Sequence, residues 1–151
     1  GLRDFDRPLN KRGLKDAPEM AQLLFSQGVR PDLIVSSPAK RALKTARLLA
    51  KEIHYATDDI DLNRDIYEAT IDDLKEVLRG QPDTADSIVL VGHNPGISYF
   101  LGFLAGEFMM DFPTCGMAYL ELDIASWKQL KMACARVVEL DYPKRTPQDI
   151  N

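Results

Sequence analysis

The chain has 151 residues, of which 45% are hydrophobic and 28% charged, a balance typical of one globular domain with a buried core. Its formal net charge of −4 argues against general binding to nucleic acid or acidic membranes. The sequence contains no apolar run long enough to span a membrane and no recognisable signal peptide. Cys115 and Cys134 fit no metal-binding spacing. A reduced, cytoplasmic protein with both thiols in its core is the simplest interpretation, and a disulfide is the alternative.

Helices and strands are predicted to alternate along the chain, which favours an α/β/α sandwich with a mainly parallel sheet. Leu14 is expected to face the core from the first helix, and Pro18 leaves a kink or break there open. Residues 108–116 are predicted as a loop and 143–151 as a frayed tail. In order, the predicted elements are a helix Lys11–Gln27 capped by Asn10, a strand over 32–37, a helix Pro38–Ile53, a short strand near 60–62 or 66–67, a helix Ile71–Arg79 with a Thr70–Asp73 capping box, a strand Ile88–Val91, a helix over 97–104, a strand Met117–Leu122, a turn at 126–128 and a strand Arg136–Leu140.

His93 lies in the connection between the predicted buried strand Ile88–Val91 and the following helix, in the sequence Gly-His-Asn-Pro-Gly. In open α/β sheets, ligands bind at this edge. Asn94 is predicted to cap the helix with Pro95 in its first turn, so that free N–H groups favour a bound anion. The alternative is that His93 merely closes a turn.

A second predicted strand is also followed directly by a helix. Ser37 and Pro38 lead into this helix, and its first turn carries Arg41. An arginine fork beside free helix N–H groups suits a phosphate or carboxylate. We therefore predict that Arg41 and Ser37 join His93 in one anion site, whereas Lys40 and Lys44 are interpreted as surface residues.

Together these segments resemble the histidine phosphatase (phosphoglycerate mutase-like) superfamily, and most closely its short SixA-type branch of phosphohistidine phosphatases. The resemblance rests on the order and spacing of several motifs across nearly the whole chain. They are Val-Ser-Ser-Pro-Ala-Lys-Arg-Ala-Leu-Lys-Thr-Ala at 35–46, Val-Gly-His-Asn-Pro-Gly at 91–96, Asp-Arg-Pro-Leu-Asn-Lys-Arg-Gly at 6–13, Tyr-Glu-Ala at 67–69, Pro-Thr-Cys at 113–115 and Ser-Trp at 126–127.

The resemblance implies a phosphatase that needs neither a metal nor a cofactor and transfers the phosphoryl group through a phosphohistidine intermediate. By resemblance, His93 and Arg41 hold the charge on the transferring oxygens, and Glu68 is a candidate proton donor to the leaving group. Asn94 and Ser37 are expected to bind substrate, and so is Arg7, which could otherwise pair with Asp4 or Asp6. Glu68 could equally be a solvated loop residue.

The family's nucleophile, a histidine in an Arg-His motif on a first strand, has no counterpart here. The chain's other histidine, His54, follows a helix end without a preceding arginine and is interpreted as a surface residue. We therefore expect a single domain over 1–151 that is truncated at its amino end, lacks a central strand of the sheet and is inactive as it stands. The truncation predicts a gap or unpaired strand edge next to 33–36 and 88–91.

The leading hypothesis is a monomeric phosphatase acting on phosphohistidine in a protein, because the short chain has no room for a large cap domain over its site. Small phosphomonoesters are the alternative substrates. A phosphate-binding relative without catalysis is the alternative function.

Overall fold

The computed structural model describes residues 2–108 and 115–143, so most of the predicted loop at 108–116 and of the tail lies outside the described residues. The helices and strands follow the predicted order. They are α1 Lys11–Ser26, β1 Leu33–Ser36, α2 Lys40–Glu52, β2 Asp61–Leu62, α3 Ile71–Arg79, β3 Ile88–Val91, α4 Gly96–Ala105, β4 Met117–Leu122 and β5 Ala135–Asp141. Short 3-10 turns occupy Asp4–Asp6, Thr57–Asp59, Arg64–Ile66 and Trp127–Gln129.

Three strands form a parallel sheet in the order β2-β1-β3, and β4 and β5 form a separate antiparallel pair. β1 pairs with strands on both sides, so the expected vacancy beside 33–36 is wrong. The edge of β3 that faces away from β1 has no strand partner in the described part of the chain. The expectation of an unpaired edge therefore matches β3 alone.

Helices cover both faces of the parallel sheet, which confirms the predicted three-layer arrangement. Strand residues alternate between the faces because successive side chains point to opposite sides. Ile34 of β1 packs in a cluster with residues of α1 and α2, and Val35 packs in a second cluster with residues of α3 and α4. The sheet is therefore the shared middle layer of two cores.

α1 begins where the sequence predicts, because the Asn10 side chain accepts a hydrogen bond of 2.8 Å from the Gly13 amide. The helix runs unbroken through Pro18, so the open question of a break is answered. Leu14 is 44% exposed, and its predicted place in the core is wrong. The buried stripe of α1 centres near the direction of Gly13, and Leu14, about 100° further round the helix, lies more than a quarter turn from its middle.

The predicted capping box of α3 is confirmed: the Thr70 hydroxyl accepts from the Asp73 amide, and the Asp73 carboxylate accepts from the Thr70 amide. The predicted cap of α4 is wrong. Pro95 takes the cap position, and Asn94 precedes it and accepts a hydrogen bond of 2.7 Å from the Ser98 hydroxyl. The Asn94 side chain therefore meets a side chain of α4 from the position before the cap.

Neither cysteine forms a disulfide, and the Cys134 thiol is buried in the core as predicted. In the ranges that the structure covers, no helix is long and apolar enough to cross a membrane.

Gly96 brings the start of α4 against the segment that follows β2. A Cβ atom at Gly96 would lie 2.7 Å from the backbone oxygen of Ala69, too close for an ordinary contact. The chain segments next to His93 and Glu68 can therefore approach this closely only because Gly96 has no side chain.

We expect Gly96→Ala to destabilise the protein by about 1–3 kcal/mol, because a backbone oxygen cannot yield as a flexible side chain does. Gly80→Ala is the control, since its Cβ would lie 3.5 Å from the nearest atom. Urea unfolding measures both variants. Equal midpoints in the two variants would show that the contact with Ala69 imposes no constraint.

Candidate active site

Three strands of the parallel sheet end at one edge, and the candidate site lies there. The Ser37 amide donates to Val91 at 3.0 Å, and the Asn63 amide donates to Ser36 at 3.0 Å. These bonds continue the pairing by one residue past the strand ends. The segments that carry Ser37, His93 and Tyr67 therefore leave the sheet side by side, at the edge where parallel sheets bind ligands.

Ser37 holds the imidazole of His93. The His93 Nε2 lies 2.8 Å from the Ser37 Oγ, and this hydroxyl oxygen also accepts from the Ala39 amide at 3.2 Å. Ser37 is fully buried, so its position is set by the surrounding backbone. The contact at Nε2 therefore sets the orientation of the His93 ring.

The environment of His93 favours its neutral form. Burial lowers the pKa of the imidazole below its usual value, and the positive charge of Arg41 lowers it further, whereas Asp4 and Glu68 oppose these effects. The Tyr67 ring meets the imidazole edge to face, with centroids 5.5 Å apart. His93 is thus a fixed and mostly uncharged donor or acceptor near pH 7.

Arg41 reaches from the first turn of α2 to Asp4. Its Nη1 donates to the Asp4 backbone oxygen at 2.8 Å, and its Nη2 donates to the Asp4 Oδ2 at 3.1 Å. The Tyr67 hydroxyl donates to the same Oδ2 at 2.7 Å. The hydrogen bond from Tyr67, followed by the contact with Arg41, lowers the pKa of Asp4, and the bond to Asp4 raises the pKa of Tyr67 to about 12.

The amino-terminal turn Asp4–Asp6 covers this group of side chains. Phe5 packs edge to face on the Tyr67 ring at 5.1 Å, and the Arg64 guanidinium lies 4.6 Å from the centre of the Phe5 ring. Arg7 is exposed, and its charge contributes to lowering the pKa of Asp4. Arg7 therefore lies at the rim of the site.

Glu68 follows Tyr67 in a left-handed backbone conformation, with φ of 54°. Left-handed backbone is uncommon for residues other than glycine, and the side chain of Glu68 is exposed. Its charge acts on both Tyr67 and His93. Glu68 is thus an exposed carboxylate near enough to Tyr67 and His93 for its charge to act on both.

A sequence profile of the histidine phosphatase superfamily, branch 1, matches residues 3–78, half of the chain. The structure is also similar to a provisionally named phosphohistidine phosphatase SixA from Agrobacterium tumefaciens. That protein is 30% identical with a TM-score of 0.78, and the match covers 95% of this chain and 88% of that one.

The chain belongs to the histidine phosphatase superfamily.

Two further similarities are of different kinds. A chloroplast protein of Arabidopsis thaliana with no assigned function is 31% identical over 137 residues, which are 85% of this chain and 62% of that relative. The chain thus spans about three fifths of that protein's length. A SixA protein histidine phosphatase complexed with tungstate has the same fold, with a TM-score of 0.79 and 20% identity over 93% of this chain and 86% of that one.

Of the residues that the sequence assigns to a histidine phosphatase site, the structure brings Ser37, His93, Arg41 and Glu68 to one edge of the sheet. Asn94 is exposed next to His93, with its Oδ1 bonded to Ser98. No group of three or more His, Cys, Asp or Glu side chains within 2–108 and 115–143 is placed to hold a metal ion.

His54 lies away from this edge, where its ring packs edge to face on Phe25 at 5.4 Å. Phe25 belongs to the cluster on the α1–α2 side of the sheet. Within the described residues, the candidate site of this superfamily member therefore contains one histidine.

Asp4 and Tyr67 belong to the site and were missed by the sequence analysis as functional residues. The sequence indicates Tyr67 only weakly, because it precedes Glu68 in a motif that resembles the family. Nothing in the sequence indicates Asp4, because its contact with Arg41 joins positions 37 residues apart in the chain.

We expect His93 to titrate below pH 6.5, so that less of it is protonated at neutral pH than of an exposed histidine. Arg41→Gln removes a repelling positive charge and raises the midpoint, whereas Arg47→Gln on the exposed side of α2 leaves it unchanged. Proton NMR resolves the two histidines, and His54→Asn assigns them. A wild-type midpoint at or above 6.5, or one insensitive to Arg41→Gln, would contradict the described electrostatics.

Proposed function

We propose that this protein hydrolyses phosphohistidine on a protein through a phosphohistidine enzyme intermediate. The observation that carries the proposal is that Arg41 and the Tyr67 hydroxyl donate to one carboxylate, with His93 packed against the Tyr67 ring, at the carboxyl edge of a parallel sheet. Phosphoryl transfer depends mainly on positioning and on fixed positive charge and donors around the transferring oxygens. A site already arranged around an oxygen anion meets that requirement.

In the first step, an enzyme histidine attacks phosphorus as the P–N bond to the substrate imidazole breaks, and that imidazole takes up a proton from solvent and leaves neutral. Water then breaks the new P–N bond and releases phosphate. Arg41 and His93 bind the transferring oxygens, Ser37 orients His93, and Arg7 and Asn94 border the site. No step draws on a metal or a cofactor, as the family resemblance implies.

The attacking histidine is proposed to lie on a strand paired with the free edge of β3. Two observations support this position. β3 offers unpaired backbone groups next to His93, and β4 and β5 form a sheet of their own. A strand between β3 and β4 would join the two sheets and end at the edge where Arg41 and His93 lie. On this proposal, residues 1–151 are a single domain that requires this strand for turnover.

There are two alternatives to this proposal, one for the substrate and one for the function. The same site would accept small phosphomonoesters, because the phosphoryl contacts do not depend on the leaving group. Without an attacking histidine it would be a phosphate-binding module. The similarity to the Agrobacterium tumefaciens protein, whose name refers to phosphohistidine, favours the protein substrate. The cytoplasmic location and the monomeric state stay predictions from the sequence.

With the proposed strand in place, we expect Arg41→Ala to lower kcat/KM on a phosphohistidine protein by about ten- to a hundredfold, since charge-assisted hydrogen bonds contribute roughly 1.5–3 kcal/mol. His93→Ala should cost at least as much, because its contact strengthens as charge develops on the oxygens. Lys44→Ala, an exposed change one turn further along α2, is the control.

The same assay separates the enzyme from the binding module. Turnover by residues 1–151 alone would refute the proposed position of the nucleophile. Full activity in the strand-bearing His93→Ala variant would refute the proposed mechanism. Phosphate binding without turnover in either form would favour the module.

Glu68 is proposed to protonate poor leaving groups. We therefore expect Glu68→Gln to slow hydrolysis of an alkyl phosphate more than hydrolysis of phosphohistidine, whose imidazole is a good leaving group. Steady-state rates on the two substrates give the ratio, and Asp65→Asn, an exposed change nearby, is the control. An equal loss on both substrates would rule out this role.

A further inference from the structure

The Asp4 Oδ2 is an oxygen anion held by two donors that belong to the candidate site. Arg41 donates to it at 3.1 Å and Tyr67 at 2.7 Å. Asp4 reaches these donors from a three-residue turn that has no buried residue, and its side chain is 56% exposed. The donors are better fixed than the acceptor, since Arg41 extends from a helix and the Tyr67 ring packs edge to face against His93.

A carboxylate and a phosphoryl group present similar oxygen acceptors to an arginine fork. The pair formed by the Arg41 guanidinium and the Tyr67 hydroxyl therefore suits an oxygen of a bound phosphoryl group as well as it suits Asp4. The Tyr67 hydroxyl also stays protonated across the working pH range, because its pKa is raised to about 12. It is thus a permanent donor beside the imidazole of His93.

We propose that the Asp4 Oδ2 occupies the place of a substrate phosphoryl oxygen, that Tyr67 is a phosphate-binding residue, and that Asp4 is an internal competitor displaced by the substrate. This inference rests on the proposed function, because it assigns further residues to the same anion site. It adds a donor that the sequence analysis did not identify and gives the amino-terminal turn a role in substrate access.

Displacement follows from charge. A phosphoryl oxygen and the Asp4 carboxylate cannot share the same two donors without repelling each other. Only the Asp4 side chain has to move, and its contacts with Arg41 and Tyr67 are both exposed. Exposed ion pairs contribute little to stability, so the carboxylate can leave at small cost.

The test is a titration of the 151-residue protein with inorganic phosphate, followed by NMR, which measures weak binding. We expect Asp4→Asn to bind phosphate roughly two- to fivefold more tightly than wild type, because an exposed ion pair no longer competes. Asp6→Asn is the matched control: it removes the same charge from the same turn without touching Arg41 or Tyr67. Asp4→Ser repeats the measurement should the asparagine variant fail to fold.

Tyr67→Phe keeps the ring contacts and removes only the donor. We expect phosphate affinity to fall by about tenfold, since a hydrogen bond to a charged oxygen is lost. Tyr119→Phe, on β4, is the control. A phosphohistidine peptide and phenyl phosphate, used as competitors, separate the two sources of the phosphoryl group, and Tyr67→Phe should weaken both equally because the contact is to the shared phosphoryl oxygens.

Four outcomes overturn the inference. They are equal affinity of the two asparagine variants, weaker binding by Asp4→Asn, equal affinity of the two phenylalanine variants, or a loss confined to one competitor. Arg41→Ala distinguishes this failure from failure of the proposed function. If that variant binds phosphate as wild type does, the anion site itself is refuted. If it loses binding while the Asp4 and Tyr67 variants behave as their controls, only the present inference falls.

Discussion

The parallel pairing of β1 with β3 sets the geometry of the candidate site. Ser36 lies opposite Val91, and the next backbone bond joins Ser37 to the end of β3. Because side chains alternate along a strand, a slip of one residue would turn the core positions of one strand to the wrong face. Both faces of this sheet are covered by helices, so the register is fixed by two cores. The contact between Ser37 and His93 is a consequence of that register.

The charges around His93 are arranged so that the imidazole stays neutral while an anion is bound nearby. Burial and Arg41 act against protonation, and two carboxylates act in favour of it. When a phosphoryl group replaces the Asp4 carboxylate, one anion replaces another at Arg41. On this proposal, the net electrostatic effect on the imidazole changes less than it would in an empty site. The internal carboxylate thus prepares the donors for an anion before the substrate arrives.

The sequence predicts the elements well because each has a local cause: apolar periodicity, a capping box at Thr70–Asp73, and proline or glycine at the boundaries. The site is predicted as far as strand ends can be located, which gives Ser37, Arg41 and His93. Local rules fail where side chains meet across the chain. The Asp4–Arg41 contact depends on the distance between elements, which no local pattern encodes. Asn94 is a local failure: Pro95 takes the cap position, and Asn94 accepts from Ser98 four residues further on. Leu14 fails for a related reason, since periodicity identifies a stripe but not its limits.

In the proposed enzyme, the free edge of β3 couples completion of the sheet to assembly of the catalytic centre. Each backbone bond that a strand forms with this edge would also bring its last residues nearer to Arg41 and His93. Completion of the sheet and assembly of the catalytic centre would therefore be one equilibrium rather than two. Mutations that weaken strand pairing far from the site would lower the fraction of competent molecules, and would appear in kinetics as a loss of active enzyme with an unchanged KM.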